Sequence, residues 1–372
     1  MKDGDFYKDE TLYVNGIKPD KTDNSLISNI EDVFLKSTNN LDWLSQGDVV
    51  LLKPALNSPH PYPSTTHPLA VHVISRILAD NGAKVFVGDQ SGIRSVLHHP
   101  GGVIRGKTKD NYIKAGMGAV DEDFISFEGE GWDKGFYHHI SPKTPSWPNG
   151  FHITRWIEKS DHIISLPRLS THSQAGATLG FKNMVGCLRE DNRLEFHANG
   201  PYNFAIKADA RGSSLKSADD HSGTFFEKIV EISDALREKL RLNLFVATKA
   251  QVTFGPDSQA MELGKLKIGR SHVLNLKPGL VFASEDPVAA ESFALAILKF
   301  IRRSTPPLAR LYEQIILFSN NNTVKVDKVH VKDHPYIQHS LAIGLGEIAS
   351  DIQYKNVPGD LKRTLGEMLG SD

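Results

Sequence analysis

The stretch from Val49 to Asp89, VVLLKPALNSPHPYPSTTHPLAVHVISRILADNGAKVFVGD, decides the fold. It opens on an apolar run of strand length that stops at Lys53-Pro54. A polar, proline-studded loop follows. Val71, Ile74, Ile77 and Leu78 then share one face of a helix that begins at Pro68 and ends at Asn81-Gly82, residues that favour the left-handed turn closing a helix. AKVFVGD supplies a second strand. Strand, loop, helix, strand is a right-handed crossover between parallel strands, and ligands of such sheets gather beyond the carboxyl ends of the strands.

Two more buried strands are predicted outward from this unit, DHIISLP and LNLFVAT. The loops after the first three strands, KPALNSPHPYPSTTHP, GDQSG and PRLSTHSQAG, carry the polar and glycine residues, so three loops are expected to meet at one crevice. The fold class read here is α/β: a mostly parallel sheet with helices on both faces, long loop insertions, and a small α+β carboxyl-terminal part. Residues 1–46 read as an amino-terminal extension, 47–300 as the core with insertions near 98–150 and 189–223, and 301–372 as an α+β segment packed on it. In TFFEKIVEISDALREKL the residues Phe225, Ile229, Ile232 and Leu236 are spaced for one buried helix face. TVKVDKVHV in the tail reads as a strand of period two. No internal repeat is visible.

Composition narrows the partners. In 372 residues, 43 Lys and Arg nearly balance 44 Asp and Glu, so the overall field gives no reason to expect nucleic acid or an anionic membrane. A small anionic ligand is the expected partner, and a homo-oligomer is compatible with the chain. The lone cysteine, Cys187, excludes an internal disulfide and any cluster built on several thiolates of one chain; its apolar setting reads as core. Residues 1–46 lack the apolar segment of a secretory signal or membrane span, and cytoplasmic residence is expected.

The chemistry concentrates in LPRLSTHSQAGATLGFKNMVGCL, residues 166–188. His172 and Lys182 bracket a run whose Gly176 and Gly180 would let backbone amides approach an anion. The spacing is neither a P-loop nor a dinucleotide fingerprint. Turn capping by His172 and solvation of Lys182 account for the same residues without any function. Asn183 adds donor and acceptor groups, and Arg168 and Arg189 add fixed charge. His197 downstream is either an exposed loop residue or, with His172, part of a metal or proton-transfer site. Lys53, at a strand end, is an edge lysine or an anion contact. Thr65, Thr66 and His67 stand where they would cap the helix from Pro68 or help it hold an anion, and Asp89 is a turn residue or an orienting carboxylate. The pairs His98-His99 and His138-His139 point to opposite faces of a strand and are read as structural.

In their order, VVLLKPAL, TTHPLAVHVISRILADNGAKVFVGDQSG, DHIISLPRLSTHSQAGATLGFKNMVGCL and DPVAAESFALAIL resemble the DUF362 family over roughly residues 47–300. Many members of that family carry ferredoxin-like cysteine clusters. This chain lacks those cysteines, so no intrinsic iron–sulfur cluster is expected. HSQAGATLGFK is locally similar to an element in the amino-terminal domain of nickel-pincer lactate racemases. That resemblance implies His172 as acid/base, Lys182 as the attachment point of a pincer cofactor and His197 as a nickel ligand. Here Ser64 and His67 stand where the racemases have Asp and Arg, and Asp89 where a second catalytic histidine is expected, so two-base racemisation does not carry over.

The expectation is a strand-end crevice built from Lys53, Thr66, His67, Asp89, Arg168, His172, Lys182 and Asn183. It would bind a small anionic ligand or a metal-containing cofactor, with nickel or another divalent ion as the metal to look for at His172 and His197. His172 and Lys182 would supply acid/base chemistry on a carboxylate-bearing substrate. The rival reading is a non-catalytic metal or cofactor carrier or assembly factor.

Overall fold

A computed structural model describes residues 10–18, 23–118, 123–197, 210–215, 224–255, 261–263, 266–268, 271–316 and 326–370. Five strands run parallel in the order Leu240–Gln251, His162–Leu166, Val49–Pro54, Lys84–Asp89, Asp123–Ser126. The 12-residue strand Val273–Ser284 extends the sheet antiparallel to Leu240–Gln251; Leu12–Ile17 pairs antiparallel to it, and Ile352–Lys355 closes that edge. The sheet is thus mostly parallel with an antiparallel flank, as α/β sheets often are.

The period of two splits each strand between two cores. Val50 and Leu52 face one way, where the helices Asn24–Ser37 and Pro68–Asp80 bury Ile30, Val33, Phe34, Val71 and Ile74. Leu51 faces the other, packed with the helix Pro287–Arg302 and the segment Phe225–Leu236. The helix read in TFFEKIVEISDALREKL runs Phe225–Glu231 and tightens to a 3₁₀ turn at Ile232–Leu236.

Several elements differ from the sequence reading. Within 1–46, Leu12–Ile17 is a strand of the main sheet and Asn24–Ser37 a covering helix. The 98–150 region contributes an edge strand, Asp123–Ser126, and a hairpin of Phe136–His139 with Phe151–Thr154 that buries Trp147. Glu190–His197 is a helix although its polar sequence shows no apolar stripe, because both of its sides are enclosed by protein. In TVKVDKVHV, residues 323–325 lie outside the described residues; 326–328 are helical and Val331–Asp333 is a 3₁₀ turn, not a strand. Val326 and Val331 are buried there in the main core.

Asp286 holds the largest helix in place. Its carboxylate caps Pro287–Arg302 by accepting from Val288 N (2.7 Å) and Ala289 N (3.0 Å), and it also accepts from Glu347 N (2.7 Å), tying the tail to the core. Asp286→Ala leaves three amides without their acceptor, and the expected loss is roughly 2–3 kcal/mol, read as a lower urea midpoint at constant m.

Candidate functional site

The chain runs from Val49–Pro54 out through Lys84–Asp89 to Asp123–Ser126, then returns to place His162–Leu166 on the first strand's other side. The strand order reverses between Val49–Pro54 and His162–Leu166, which opens a crevice at their carboxyl ends. Into it fold the hairpin Ser170–His172/Gly176–Thr178 and the short helix Gly180–Asn183.

Part of the expected site is spent inside the fold. Lys53, on a central strand and not an edge, pairs with Asp89 Oδ1 at 2.8 Å and donates to Pro54 O (2.8 Å) and Asn183 Oδ1 (3.3 Å). Asp89 accepts from the amides of Leu56 (2.8 Å) and Gln90 (2.7 Å). Asn183 Nδ2 returns to Lys53 O (3.0 Å) and Ser165 Oγ (3.1 Å). The anion that Lys53 meets is therefore Asp89, and all three side chains act as a buried clasp across the switch point. Gly186 makes the clasp possible, since a Cβ there would collide with the Asp89 carboxylate and the Lys53 ammonium.

Thr66 accepts from Ala55 N (2.7 Å) and donates to Leu166 O, joining two loops. It is His67 that caps the following helix, through Nδ1 accepting from Leu69 N at 3.3 Å, and burial pushes its pKa down to about 4. Thr66 and His67 thus leave the ligand set. Arg189 pairs with Asp191 (2.9 and 2.7 Å) and stacks on Trp132. Gly176 takes a left-handed φ of +77° to close the turn after His172, and the amides of Gly180 and Phe181 are already bound by Glu291, so the expected anion cradle there holds a protein carboxyl.

His172, Lys182, His197 and Arg168 remain, and these are brought together. All four are buried, at 7, 8, 8 and 1% exposure. His172 Nδ1 accepts from the amides of Gln174 and Ala175, each at 3.1 Å, so its neutral ring carries the proton on Nε2. His197 is the opposite tautomer: Nδ1–H donates to Arg193 O at 2.6 Å, which leaves a lone pair on Nε2. Lys182 Nζ lies over the Phe196 ring, 4.7 Å from its centre. Burial, with the charges of Arg193 and Arg168, lowers the ammonium to about 7. Burial and then the neighbouring charge of Lys182 hold both imidazoles well below their ordinary value. At neutral pH both imidazoles are therefore neutral, and Lys182 is the member at the edge of protonation.

Two residues were not singled out in the sequence. Arg193 binds four backbone carbonyls, of Leu188, Ser91, Gln90 and Gly186, and so welds the helix bearing His197 to the crevice. Glu291, fully buried, accepts from Phe181 N at 3.1 Å and seats the helix that carries Lys182; burial raises its carboxyl to about 8. An acid inside the apolar run PVAAESFALAIL was the available signal.

A divalent metal needs three or four donors. Among the described residues no group of three His, Cys, Asp or Glu side chains is placed to hold one, and one nitrogen of each imidazole is already engaged. The donor set does not fit a metal centre at His172 and His197, and no step is derived through one. Cys187 is fully buried with its thiol pushed up to about 12, which disqualifies it as a nucleophile.

An α/β protein with a buried basic cluster at the switch point of its sheet is the class defined so far. The chain belongs to the DUF362 family: the model for "Domain of unknown function (DUF362)" matches residues 50–296. It is 27% identical over 161 residues to a curated thylakoid-associated protein of Synechocystis sp., covering 42% of this chain and 44% of that one. The match thus spans less than half the length of that relative. Among solved structures, the lactate racemase apoprotein from Thermoanaerobacterium thermosaccharolyticum aligns at TM-score 0.36 and 14% identity over 74% of this chain and 56% of its own. A structural-genomics protein from Thermotoga maritima aligns at 0.33 and 14%, over 69% and 55%. No role is carried over from either. No helix among the described residues is long and apolar enough to cross a membrane.

Proposed function

We propose that Arg168, His172, Lys182 and His197 form the binding pocket for a small carboxylate- or phosphate-bearing ligand, in a protein that works from the cytoplasm. The observation that carries this is the juxtaposition of three buried bases beside two arginines: the charges acting on Lys182 are Arg193 and Arg168, both repulsive. Such a cluster gives up protons when empty and takes them back when an anion arrives. Arg168 takes the anchoring role first expected of Lys53, His172 Nε2–H donates to the anion, and Lys182 or His197 Nε2 is the proton acceptor at an adjacent carbon or oxygen.

Anion binding should therefore be coupled to proton uptake. Titration calorimetry with oxalate and with sulfate at pH 8, in buffers of different ionisation enthalpy, should show close to one proton taken up per anion. Lys182→Met should weaken binding roughly tenfold or more and remove most of the uptake. Binding without proton exchange, or binding unchanged in Lys182→Met, would refute the assignment. Metal analysis and intact mass of purified protein separate the rival readings: bound metal without turnover favours the carrier, and a covalent adduct on Lys182 favours a pincer cofactor.

A further inference from the structure

A cleft of about 360 Å³ opens where the end of the helix Pro287–Arg302, the helix Pro307–Ile316 and the chain after Val326 meet. That volume is at the small end of the range for small-molecule sites. Four cations line it, and they come from three segments: Lys299 and Arg303 from the end of the first helix, Arg310 from the second, and Lys328 from the chain beyond. A helix carboxyl terminus favours cations in its own last turn, which explains Lys299 and Arg303. Arg310 and Lys328 are brought in from elsewhere, like charge against like.

The lining carboxylates do not balance them. Asp327 is already held by Arg302 through two contacts of 2.7 Å, and Glu367 is exposed with no ion pair to a described residue. Burial lowers the Lys299 ammonium below its ordinary value, Asp327 opposes this, and the charges of Arg303 and Arg302 lower it further. Lys299 is spent on main-chain carbonyls, Val326 O at 2.7 Å and Val329 O at 2.5 Å, so it fastens the chain that forms one wall. Arg303 and Lys328 are exposed and form no ion pair with any described residue. Arg310 donates from Nη2 to Arg302 O, but its Nε is enclosed and has no acceptor among the described residues. An enclosed donor on a charged group is costly to leave unmade, and among these cations an anionic acceptor is the one favoured.

From the unanswered Arg310 donor and the cations gathered around it, we infer that this cleft binds a small organic phosphate monoester. The phosphate takes the Nε–H of Arg310 and the charges of Arg303 and Lys328, because guanidinium donors match phosphate oxygens. Its carbon part lies against Val329 and Met368, which supply an apolar wall. Four lining cations against two carboxylates suit a dianion better than a single carboxylate. The site does not depend on the pocket proposed above, since none of Arg168, His172, Lys182 and His197 lines it.

The test is titration calorimetry with phenyl phosphate at pH 8, where the ester is already a dianion, on the full chain carrying Lys182→Met so that the first pocket does not contribute. Binding should occur without net proton uptake, unlike that of oxalate by the parent, because phosphate and guanidinium both keep their charge. R303E/K328E should weaken it at least about tenfold, with far-UV dichroism and melting unchanged because both side chains are exposed. The same double substitution in the parent should leave proton-coupled oxalate binding intact, which keeps failure of one site distinct from failure of the other. Inorganic phosphate, with no carbon part for the apolar wall, should bind about fivefold more weakly than the ester. No binding of phenyl phosphate, or binding undiminished by R303E/K328E, overturns the proposal. Inorganic phosphate or sulfate bound as tightly as the ester would mark an adventitious ion only and overturn it as well. So would retention on vesicles containing phosphatidic acid without any binding of phenyl phosphate, which would assign the cleft to a lipid headgroup.

Discussion

Lys182→Met is expected to make the protein more stable at pH 7 while disabling its pocket. Lys182 is held at about 7 against an ordinary value of 10.5, with burial as the main cause. Below pH 7 the ammonium is charged in both the folded and unfolded chains, and its full desolvation cost is present. Between about 7 and 10.5 the unfolded chain binds the proton and the folded chain does not, so this group makes stability rise with pH, by up to tenfold in the folding equilibrium per unit. Methionine removes that cost and loses only the contact with the Phe196 ring, about 0.5–2 kcal/mol. The net gain at pH 7 should be roughly 2–3 kcal/mol. Glu291 works in the opposite sense. Its carboxyl is raised to about 8, so its contribution is full below about 4.5 and is lost as pH rises through 8. Urea midpoints measured from pH 5 to 10 should thus lose their rising alkaline limb in Lys182→Met and their falling limb in Glu291→Gln. A variant no more stable than the parent at pH 7 would mean that Lys182 is solvated, and the pocket would lose its proton chemistry.

Lys53→Met should have the largest destabilising effect. Both members of the Lys53–Asp89 pair are almost fully enclosed, with side-chain exposures of 1 and 3%. Removing one leaves the other as a buried charge, for which roughly 3–5 kcal/mol is the expected loss. Asp89 keeps its two amide donors, so the figure should fall in the lower half of that range. The double variant Lys53→Met/Asp89→Asn should recover at least 1–2 kcal/mol of it, because the stranded charge is gone. Additive losses in denaturant unfolding would show that the two side chains do not interact. Because Asn183 bridges Lys53 to the helix bearing Lys182, the single variant should also weaken oxalate binding.

These two lysines show why residue type and placement along the chain were not enough to sort the site. Lys53 ends a strand and Lys182 follows one, both at the same crevice, and from sequence each is a cation within two residues of a glycine or proline. What separates them is a partner 36 residues from Lys53 in the chain and none for Lys182 among the described residues. The histidines behaved similarly. His67 and His172 each accept from the main chain two residues on, yet only His172 also lies within reach of the charge of Lys182. The residue before a proline-started helix reads equally well as a cap or an anion contact, and burial decided for the cap.

The sequence by itself determined the parallel core: four apolar strands, the helix between Val49–Pro54 and Lys84–Asp89, and the meeting of three loops at one end. Those features follow from periodicity and turn chemistry over a few residues, which are local. It did not reveal Leu12–Ile17 and Val273–Ser284 as neighbours in the same sheet, nor Glu190–His197 as a helix, because their stability comes from partners hundreds of residues away or from enclosure on all sides. Only the tertiary structure decided which charges are cancelled and which are left to act. Ionic pairing depends on distance and dielectric, and neither is written in the order of the residues.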